Sequence, residues 1–274
     1  MKLSLKTPAF VAILSLMAVC NVAEATTRRT DPQAPITTIS QRPDNQNTEL
    51  LIKAATNFWQ SDRYLTESQS LITAKTRGGT VLIELSSKTI AQSGAKFRSE
   101  ITFGEDEDKA SYVVVSDGEQ VWIYHPKLKQ YSITSTDEFK EVFLIGMSSV
   151  LFMQFPEESR EIIAQNQSSK SVLEALGLLD NSSLKVEQGI INNQQMSVYK
   201  YFNAEDGFNI SSFIEPATGI LKQLQFGGES SGYDILITEK NIQRTPEPEI
   251  TNETFKFIPP AGVKKVDSLS IEMF

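Results

Sequence analysis

The sequence predicts a mainly β (α+β) protein built around one antiparallel sheet. Three observations support this: runs rich in β-branched and aromatic residues alternate with turn signals, these runs number about ten or eleven, and only two or three segments have helical periodicity. An antiparallel sheet of that size must curl or split, because neighbouring strands twist relative to one another. With 274 residues, 40% of them hydrophobic, the chain can bury a substantial core.

The N-terminal residues 1–25 have the pattern of a cleaved secretory signal. Lys2 and Lys6 precede an apolar run, and Ala23 and Ala25 are the small residues that a signal peptidase recognises. We therefore expect export to a periplasm or out of the cell. An uncleaved membrane anchor is the alternative, but the apolar run is too short to cross about 30 Å of hydrocarbon as a helix.

The only cysteine, Cys20, lies inside this predicted signal. In a second interpretation Cys20 is the lipid-modified first residue of a membrane-anchored lipoprotein, although Val19 is bulkier than the residues that precede such sites. After cleavage the mature chain has no thiol and no disulfide. The net charge of −8 and the lack of a basic stripe in the sequence argue against a nucleic-acid partner.

A polar leader separates the predicted signal from the predicted domain at 48–274. Residues 26–47 are rich in Thr, Gln, Pro, Asn and Asp, which predicts a disordered linker. Thr48 is a candidate N-cap, and apolar residues then recur at helical spacing. We expect an amphipathic helix over about 48–61. Strands are expected at 65–76, 80–86, 96–103, within 112–133, and at 184–188, 195–203, 210–215, 221–227 and 233–242.

The stretch 112–133 predicts three short strands and two turns. Asp117-Gly118 lies between two β-rich runs and is typical of a tight hairpin. In the strand that follows, apolar residues occupy both faces, so each face must be covered. His125, the only histidine, precedes a proline, and we expect it to be a solvated turn residue without a catalytic role.

A second unusual stretch, 142–155, contains no charged residue. It is too short to span a bilayer, and it predicts a helix, or a helix broken at Gly146, that is apolar on all sides. Two interpretations are open: a core helix, or a helix that shares its surface with an apolar ligand. A further short helix is expected at 169–179, ending near Gly177.

Catalytic and metal motifs are weak. Residues 228–232 match Gly-x-Ser-x-Gly, but the serine of that motif needs a following helix, whereas a strand is expected from Tyr233, and no histidine lies downstream. An esterase built on Ser230 is therefore the least favoured function, and we expect no enzyme. The acidic run 105–108 lacks the spacing of a calcium loop. We predict neither a metal nor a cofactor.

Residues 115–131 closely resemble a family signature. They contain Val-Ser-Asp-Gly, then Trp-Ile-Tyr-His-Pro and Gln, which is similar to the VSDG-x-x-hydrophobic-Trp-x-Tyr-x-Pro-x-x-x-Gln pattern of the LolA family, periplasmic carriers of outer-membrane lipoproteins. Residues 96–100 resemble the strand before that signature, and 255–263 resemble its C-terminal F-x-F-x-P-P-x-G-V segment. The resemblance extends over about 48–267.

This resemblance implies an incomplete, strongly curved antiparallel β-barrel with a lid of two or three helices over an apolar cavity. It implies a periplasmic carrier that delivers an acylated lipoprotein or another lipid towards the outer membrane. The implied partners are an inner-membrane releasing complex and an outer-membrane acceptor, and the implied chain is a monomer. The alternative is a sensor of the same fold that detects lipoprotein and regulates a membrane partner. The implied ligand-binding residues are Phe97, Ile101, Trp122 and Tyr124 in the cavity wall and Phe143, Met147, Leu151 and Phe152 in the lid.

One feature of the family is missing from the sequence. An Arg-Pro pair whose arginine latches the lid precedes the third strand in family carriers, but residues 92–96 read Gln-Ser-Gly-Ala-Lys here. Arg98 is close in sequence, yet strand alternation places it on the face opposite Phe97. The sequence therefore assigns no latch.

Overall fold

The computed structural model describes residues 45–271 except 77, 105–109, 166–167, 179–183, 204–206 and 231–232. The strands in this part of the chain are β1 (Arg63–Thr76), β2 (Gly79–Gln92), β3 (Lys96–Phe103), β4 (Ala110–Asp117), β5 (Gln120–His125), β6 (Gln130–Ser135), β7 (Leu184–Ile191), β8 (Gln194–Asn203), β9 (Phe208–Ile214), β10 (Leu221–Ser230), β11 (Tyr233–Pro246) and β12 (Lys264–Lys265).

All twelve strands belong to one sheet in the order β12-β6-β5-β4-β3-β2-β1-β11-β10-β9-β8-β7. Two meanders, β1 to β6 and β7 to β11, meet where β1 pairs with β11. Neighbours are antiparallel except for the short β12, which runs parallel to β6. The sheet is curved and open, with β12 and β7 at its edges, so the prediction of a mainly β fold with an incomplete, curved antiparallel barrel is confirmed.

The central hairpin is built as its turn residues predict. Asp117 Oδ1 accepts hydrogen bonds from the backbone N–H groups of Glu119 and Gln120, both at 2.9 Å. Gly118 has a φ of +102°, and a Cβ there would lie 2.7 Å from the carbonyl oxygen of Gly94. Glycine is therefore required at this turn by both its backbone angle and its neighbour.

Four α-helices and one 3₁₀ helix lie in the described ranges. They are α1 (Asn45–Trp59), the 3₁₀ helix (Lys140–Ile145), α2 (Met147–Gln154), α3 (Glu157–Ala164) and α4 (Ser169–Ala175). The sequence left open a continuous helix and a helix broken at Gly146, and the structure has the broken form, since this residue separates the 3₁₀ helix from α2. The sequence did not predict α3, which has only eight residues and depends on packing against α1 and α4.

Some predicted boundaries were wrong. Helix α1 begins at Asn45 and ends at Trp59, so the predicted linker 26–47 overlaps it by three residues. Helix α4 ends at Ala175, before the predicted residue 179. The predicted signal 1–25, the rest of the linker and the acidic run 105–108 lie outside the described residues.

The sheet has an inner face, which the helices cover, and an outer face. The main hydrophobic cluster lies between the inner face and the 3₁₀ helix with the start of α2, and it includes Phe97, Ile101, Val121, Leu144 and Ile145. A second cluster joins α1, α2, α3 and α4 to the start of β1, around Phe58, Tyr64 and Phe152. The helices are thus seated on one face of the sheet, as the expected lid is.

Candidate functional site

The candidate site is the inner face of the sheet together with the segment packed on it. We call residues 140–154, comprising the 3₁₀ helix, Gly146 and α2, the cover segment. Its buried apolar side chains belong to the two hydrophobic clusters: Phe143, Leu144, Ile145, Met147, Val150 and Phe152. In this state, the cover segment therefore packs as a core element, the first of the two interpretations that its sequence left open.

Gly146 is the break between the two helices of the cover segment. Its φ is +96°, a region that favours glycine, and it ends one helix where the next begins. A Cβ at this position would lie 2.8 Å from Glu239 Oε1 and 3.3 Å from Ser87 Oγ. The cover segment can approach the sheet this closely only because residue 146 has no side chain.

Glu239 on β11 is fully buried beneath the N-terminus of α2. Its carboxylate accepts hydrogen bonds from the backbone N–H of Ser148 at 2.6 Å and from the Ser148 hydroxyl at 2.9 Å. Burial raises the pKa of Glu239, and hydrogen bonds from Ser68 and Ser148 partly offset this rise. A titratable group therefore fixes the position of the cover segment on the sheet.

Other hydroxyl groups surround this contact on the inner face. Thr89 Oγ1 donates to the carbonyl oxygen of Ile145 at 2.7 Å and lies 2.8 Å from Ser99 Oγ. Ser68 Oγ and Ser87 Oγ are 3.2 Å apart. The contact between sheet and cover segment therefore combines a group of buried hydrogen bonds with the apolar side chains of the main cluster.

Arg244, also on β11, connects the sheet to α1. Its guanidinium carbon lies 3.7 Å from the ring centroid of Phe58 and 3.8 Å from that of Tyr64, so one ring covers each side of the guanidinium plane. Nη1 donates to the carbonyl oxygen of Phe58 at 2.9 Å. Burial lowers the pKa of Arg244 to about 10, which leaves the group charged at neutral pH. Arg244 thus holds the end of α1 in the manner of a latch.

A bulge in β11 puts Glu239 and Arg244 on the same face. Lys240 pairs with Gln69 and Gln243 pairs with Glu67, so two residues of β11 oppose one residue of β1. Asn241 lies in the bulge with a φ of +54°. Strict alternation from Glu239 would have turned Arg244 outwards, and the extra residue returns it to the inner face.

Two cavities are relevant. The first, about 300 Å³, lies beside α1 and is lined by Phe58, Tyr64 and Arg244 together with residues of α1 and of the loop before β10. The second, about 710 Å³, is a groove lined mainly by polar residues of the outer face, including the Glu67–Lys88 ion pair. Neither cavity is lined by the cover segment.

The sheet register separates the four residues predicted for the cavity wall. Phe97 is opposite Ser116, which is opposite Val121, so Phe97 and Ile101 belong to the inner face. Trp122 is opposite Val115, which is opposite Arg98, so Trp122 and Tyr124 belong to the outer face. The expectation that all four residues form one wall is wrong.

The C-terminal segment covers the outer face at this position. The ring centroid of Phe257 is 5.5 Å from that of Tyr124 and 5.2 Å from that of Tyr131. The strand that is apolar on both faces is therefore covered by the core on one face and by the segment around Phe257 on the other.

The four residues predicted for the lid do lie together in the cover segment. Phe143 and Met147 join the main cluster, and Leu151 touches both clusters. Phe152 packs edge-to-face on Tyr64, with ring centroids 5.1 Å apart. Ligand binding by any of the eight predicted residues stays a prediction.

His125 is not solvated, so that expectation is wrong. It ends β5 on the inner face, is 8% exposed, and packs edge-to-face on Tyr112 with ring centroids 4.6 Å apart. Its Nδ1 accepts a hydrogen bond from the backbone N–H of Leu128 at 3.4 Å. The alternation that places Val121 and Ile123 inside also places His125 inside, because the turn begins only after it.

The sequence context of Ser230 is confirmed as a strand followed by a strand. Ser230 ends β10 and is paired with Tyr233, the first residue of β11. Within the described ranges, no cluster of three or more His, Cys, Asp or Glu side chains could hold a metal ion. None of the helices in these ranges has the length and hydropathy required to cross a bilayer.

Sequence reasoning missed Glu239 and Arg244. Glu239 has a signal in the sequence, because it follows Ile235 and Ile237 at alternate positions and so falls on an apolar face. Arg244 has no such signal, since its orientation depends on the bulge at Asn241.

Comparison with known proteins gives matches only among solved structures. No family model and no curated protein matches the sequence. LprF from Mycobacterium bovis matches 82% of this chain and 100% of its own at 6% identity and a TM-score of 0.39. An uncharacterised conserved protein from Thermus thermophilus matches 80% of this chain and 98% of its own at 14% identity and a TM-score of 0.37.

A LolA superfamily protein from Nitrosomonas europaea is also similar. It matches 77% of this chain and 97% of its own at 8% identity, with a TM-score of 0.31.

Proposed function

We propose that this chain is a periplasmic carrier that binds the acyl chains of a lipoprotein, or another lipid, between the inner face of its sheet and the cover segment. The observation that carries the proposal is the structure of that segment. It is largely apolar and without charge from Val142 to Gln154, it is broken at Gly146, and it is docked by hydrogen bonds to Glu239 and Thr89. Displacing it would expose the apolar side chains of the main cluster on an open sheet, beside the buried polar groups at Glu239 and Thr89.

The energetics favour an exchange of the cover segment for acyl chains. Burying apolar surface stabilises a complex by about 0.8 kcal/mol per CH₂ group, so a bound acyl chain can replace the burial that the segment provides in the free protein. Methionine and phenylalanine side chains in the segment can repack around a flexible chain. Such a carrier needs no catalytic group.

The delivery step and its partners belong to the same proposal. The predicted signal 1–25 and the motifs at 115–131 and 255–263 support export and a role in lipoprotein transfer. An inner-membrane releasing complex would supply the cargo and an outer-membrane acceptor would receive it.

Native mass spectrometry of the chain, extracted gently from its host, tests the proposal. We expect a co-purifying amphiphile, and titration of the stripped protein with a synthetic acylated lipopeptide should restore a complex of equal stoichiometry. A chain that carries no amphiphile and does not bind the lipopeptide would contradict the proposal.

Deletion of the gene separates the carrier from the sensor alternative. Lipoproteins should be missorted if the protein is a carrier, and they should be sorted normally, with altered signalling, if it is a sensor.

A further inference from the structure

Arg244 has hydrogen-bonding capacity that the described part of the chain does not use. Its guanidinium carries five N–H donors in one plane. Phe58 and Tyr64 cover the two sides of that plane, and Nη1 is bonded to the carbonyl oxygen of Phe58. Nε and Nη2 are buried and have no hydrogen-bond partner among the described residues.

These two nitrogens form one edge of the guanidinium. The N–H groups of Nε and Nη2 point in parallel, and this side-on edge matches the two oxygens of a carboxylate or phosphate. No described acidic side chain forms an ion pair with Arg244: Glu247 pairs with Arg63 at 2.6 Å, and Glu239 is bonded to Ser148. Arg244 interacts with the two rings, with the carbonyl oxygen of Phe58 and electrostatically with Glu239, but none of these interactions gives Nε or Nη2 an acceptor. A buried donor without an acceptor is costly.

The cavity of about 300 Å³ lies at Arg244. Its other walls combine the apolar side chains of Ala54, Leu221 and Ile242 with polar groups at the rim, where Gln60 is exposed. Ile220 also lines the cavity and is 45% exposed, so apolar surface continues from the cavity to the outside. A buried cation among the lining residues and an apolar path leading away from the cavity have the two chemical characters of an amphiphile.

We propose that Arg244 and this cavity bind the oxyanion head group, carboxylate or phosphate, of a single-chain amphiphile. The inference rests on the proposed function, because it takes the ligand to be a lipid, and it adds the chemical class of the head group. The head group pairs with Nε and Nη2, and the start of the acyl chain lies along Leu221 and Ile220. Because Nη1 holds the end of α1, the same side chain connects head-group binding to the position of that helix.

Three ligands with one tail and different heads test the proposal: decanoate, decyl phosphate and decanol, titrated calorimetrically into the full mature chain. We expect the wild-type chain to bind one or both anions about ten- to a hundredfold more tightly than the alcohol, the range for a charge-assisted pair of hydrogen bonds. The two anions distinguish a carboxylate site from a phosphate site. This comparison on the wild-type chain requires no variant.

Variants then identify the residue responsible. Arg244→Gln should lower the affinity for the anions to that for decanol and leave decanol binding within about twofold, while Arg244→Lys, which keeps the charge without the planar edge, should be intermediate. Arg98→Gln, on the outer face of β3, is the matched control and should keep the wild-type preference. Thermal unfolding of each variant establishes that it is folded.

Two outcomes overturn the proposal without affecting the carrier function. They are equal binding of all three ligands by the wild-type chain, and an equal loss of anion and alcohol binding in a folded Arg244→Gln variant, which would make Arg244 only a structural latch for α1. If none of the three ligands and no acylated lipopeptide binds, the proposed function fails together with this site.

Discussion

Two ionisable side chains on the inner face of β11, Glu239 and Arg244, hold the helices in place. Glu239 accepts hydrogen bonds from the start of α2, and Arg244 donates to the carbonyl of Phe58 in the last turn of α1. Apolar residues of similar volume would often be more stabilising at buried positions, because they need not be desolvated. The location of Glu239 and Arg244 at the contact between sheet and helices is consistent with an interface that opens.

Glu239 should make the stability of the protein depend on pH. Because burial raises its pKa, the folded chain retains this proton at pH values where the unfolded chain has lost it. The associated stabilisation is complete below the ordinary pKa of a glutamate and is lost as the pH rises towards the raised value, by at most about 1.4 kcal/mol per pH unit. Denaturant unfolding of the wild type and Glu239→Gln at several pH values measures the difference between them.

The free energy of unfolding of Glu239→Gln should increase relative to that of the wild type as the pH rises. The Glu100→Gln variant, which makes the same substitution at an exposed position on the outer face, serves as the control. A wild-type curve parallel to that of Glu239→Gln at all pH values would show that Glu239 does not titrate differently in the folded and unfolded chains.

Gly146→Ala should loosen the cover segment. Alanine at a φ of +96° costs about 1–2 kcal/mol, and its Cβ would displace the Glu239 carboxylate. Gly94→Ala is the matched control, because Gly94 also has a positive φ, +76°, but a Cβ added there would meet no other atom within 4 Å. We expect Gly146→Ala to lower the free energy of unfolding more than Gly94→Ala does and to increase binding of a dye specific for exposed apolar surface. Equal effects of the two substitutions would contradict the inference that the missing side chain at Gly146 lets the cover segment approach the sheet.

At the level of elements, the outer face of β5 depends on the C-terminal segment. Phe257 contacts Tyr124 and Tyr131, and β12 adds a short parallel pairing to β6 after it. The segment therefore protects an edge of the sheet as well as an aromatic surface.

Phe257→Ala should destabilise the protein by about 1–2 kcal/mol, since it removes two aromatic contacts and their buried area. Ile258→Ala, at a neighbouring side chain that is 67% exposed, should change the stability by less than about 0.5 kcal/mol. Denaturant unfolding measures both changes. If the two variants are equally stable, the segment does not cover the outer face in solution.

At the scale of the whole molecule, the long central strands form a frame and the helices form a cover. Strands β1 and β11 have fourteen residues each and join the two meanders, whereas α2, α3 and α4 have eight residues or fewer. Short helices are stable only through their packing, so they should open before the sheet does.

Hydrogen exchange should show this order. Amide groups in the cover segment and in α3 and α4 should exchange before those in β1 and β11, and saturation with an acylated lipopeptide should slow exchange on the inner face. At a lipopeptide concentration about a hundredfold above its dissociation constant, the free energy of unfolding should rise by about 2.7 kcal/mol. Equal protection of helices and central strands would contradict an opening cover.

Much of the fold could be predicted because its signals are local. The Asp117-Gly118 turn, strand β3 and the break at Gly146 follow from turn chemistry and from the periodicity of apolar residues. The short helix α3 could not be predicted in the same way, since eight residues hold too little helical propensity without their tertiary contacts.

The candidate site was less predictable. Its apolar part, from Phe143 to Phe152, stands out in the sequence as a run without charge. Its polar part does not, because the partners of Glu239 and Arg244 are distant in the chain: Ser148 and Phe58 are brought to β11 only by folding.

The sequence by itself determined a large antiparallel sheet that must curl or split, an uncharged apolar helix and a central strand that needs protection on both faces. These follow from alternation, turn residues and charge, which act over a few neighbouring residues. Only the tertiary structure decided which aromatic residues share a face, that the C-terminal segment covers Tyr124, and that a bulge at Asn241 turns Arg244 inwards. Strand register and a bulge depend on pairing between distant segments, so the orientation of each side chain beyond them is fixed by the folded sheet alone.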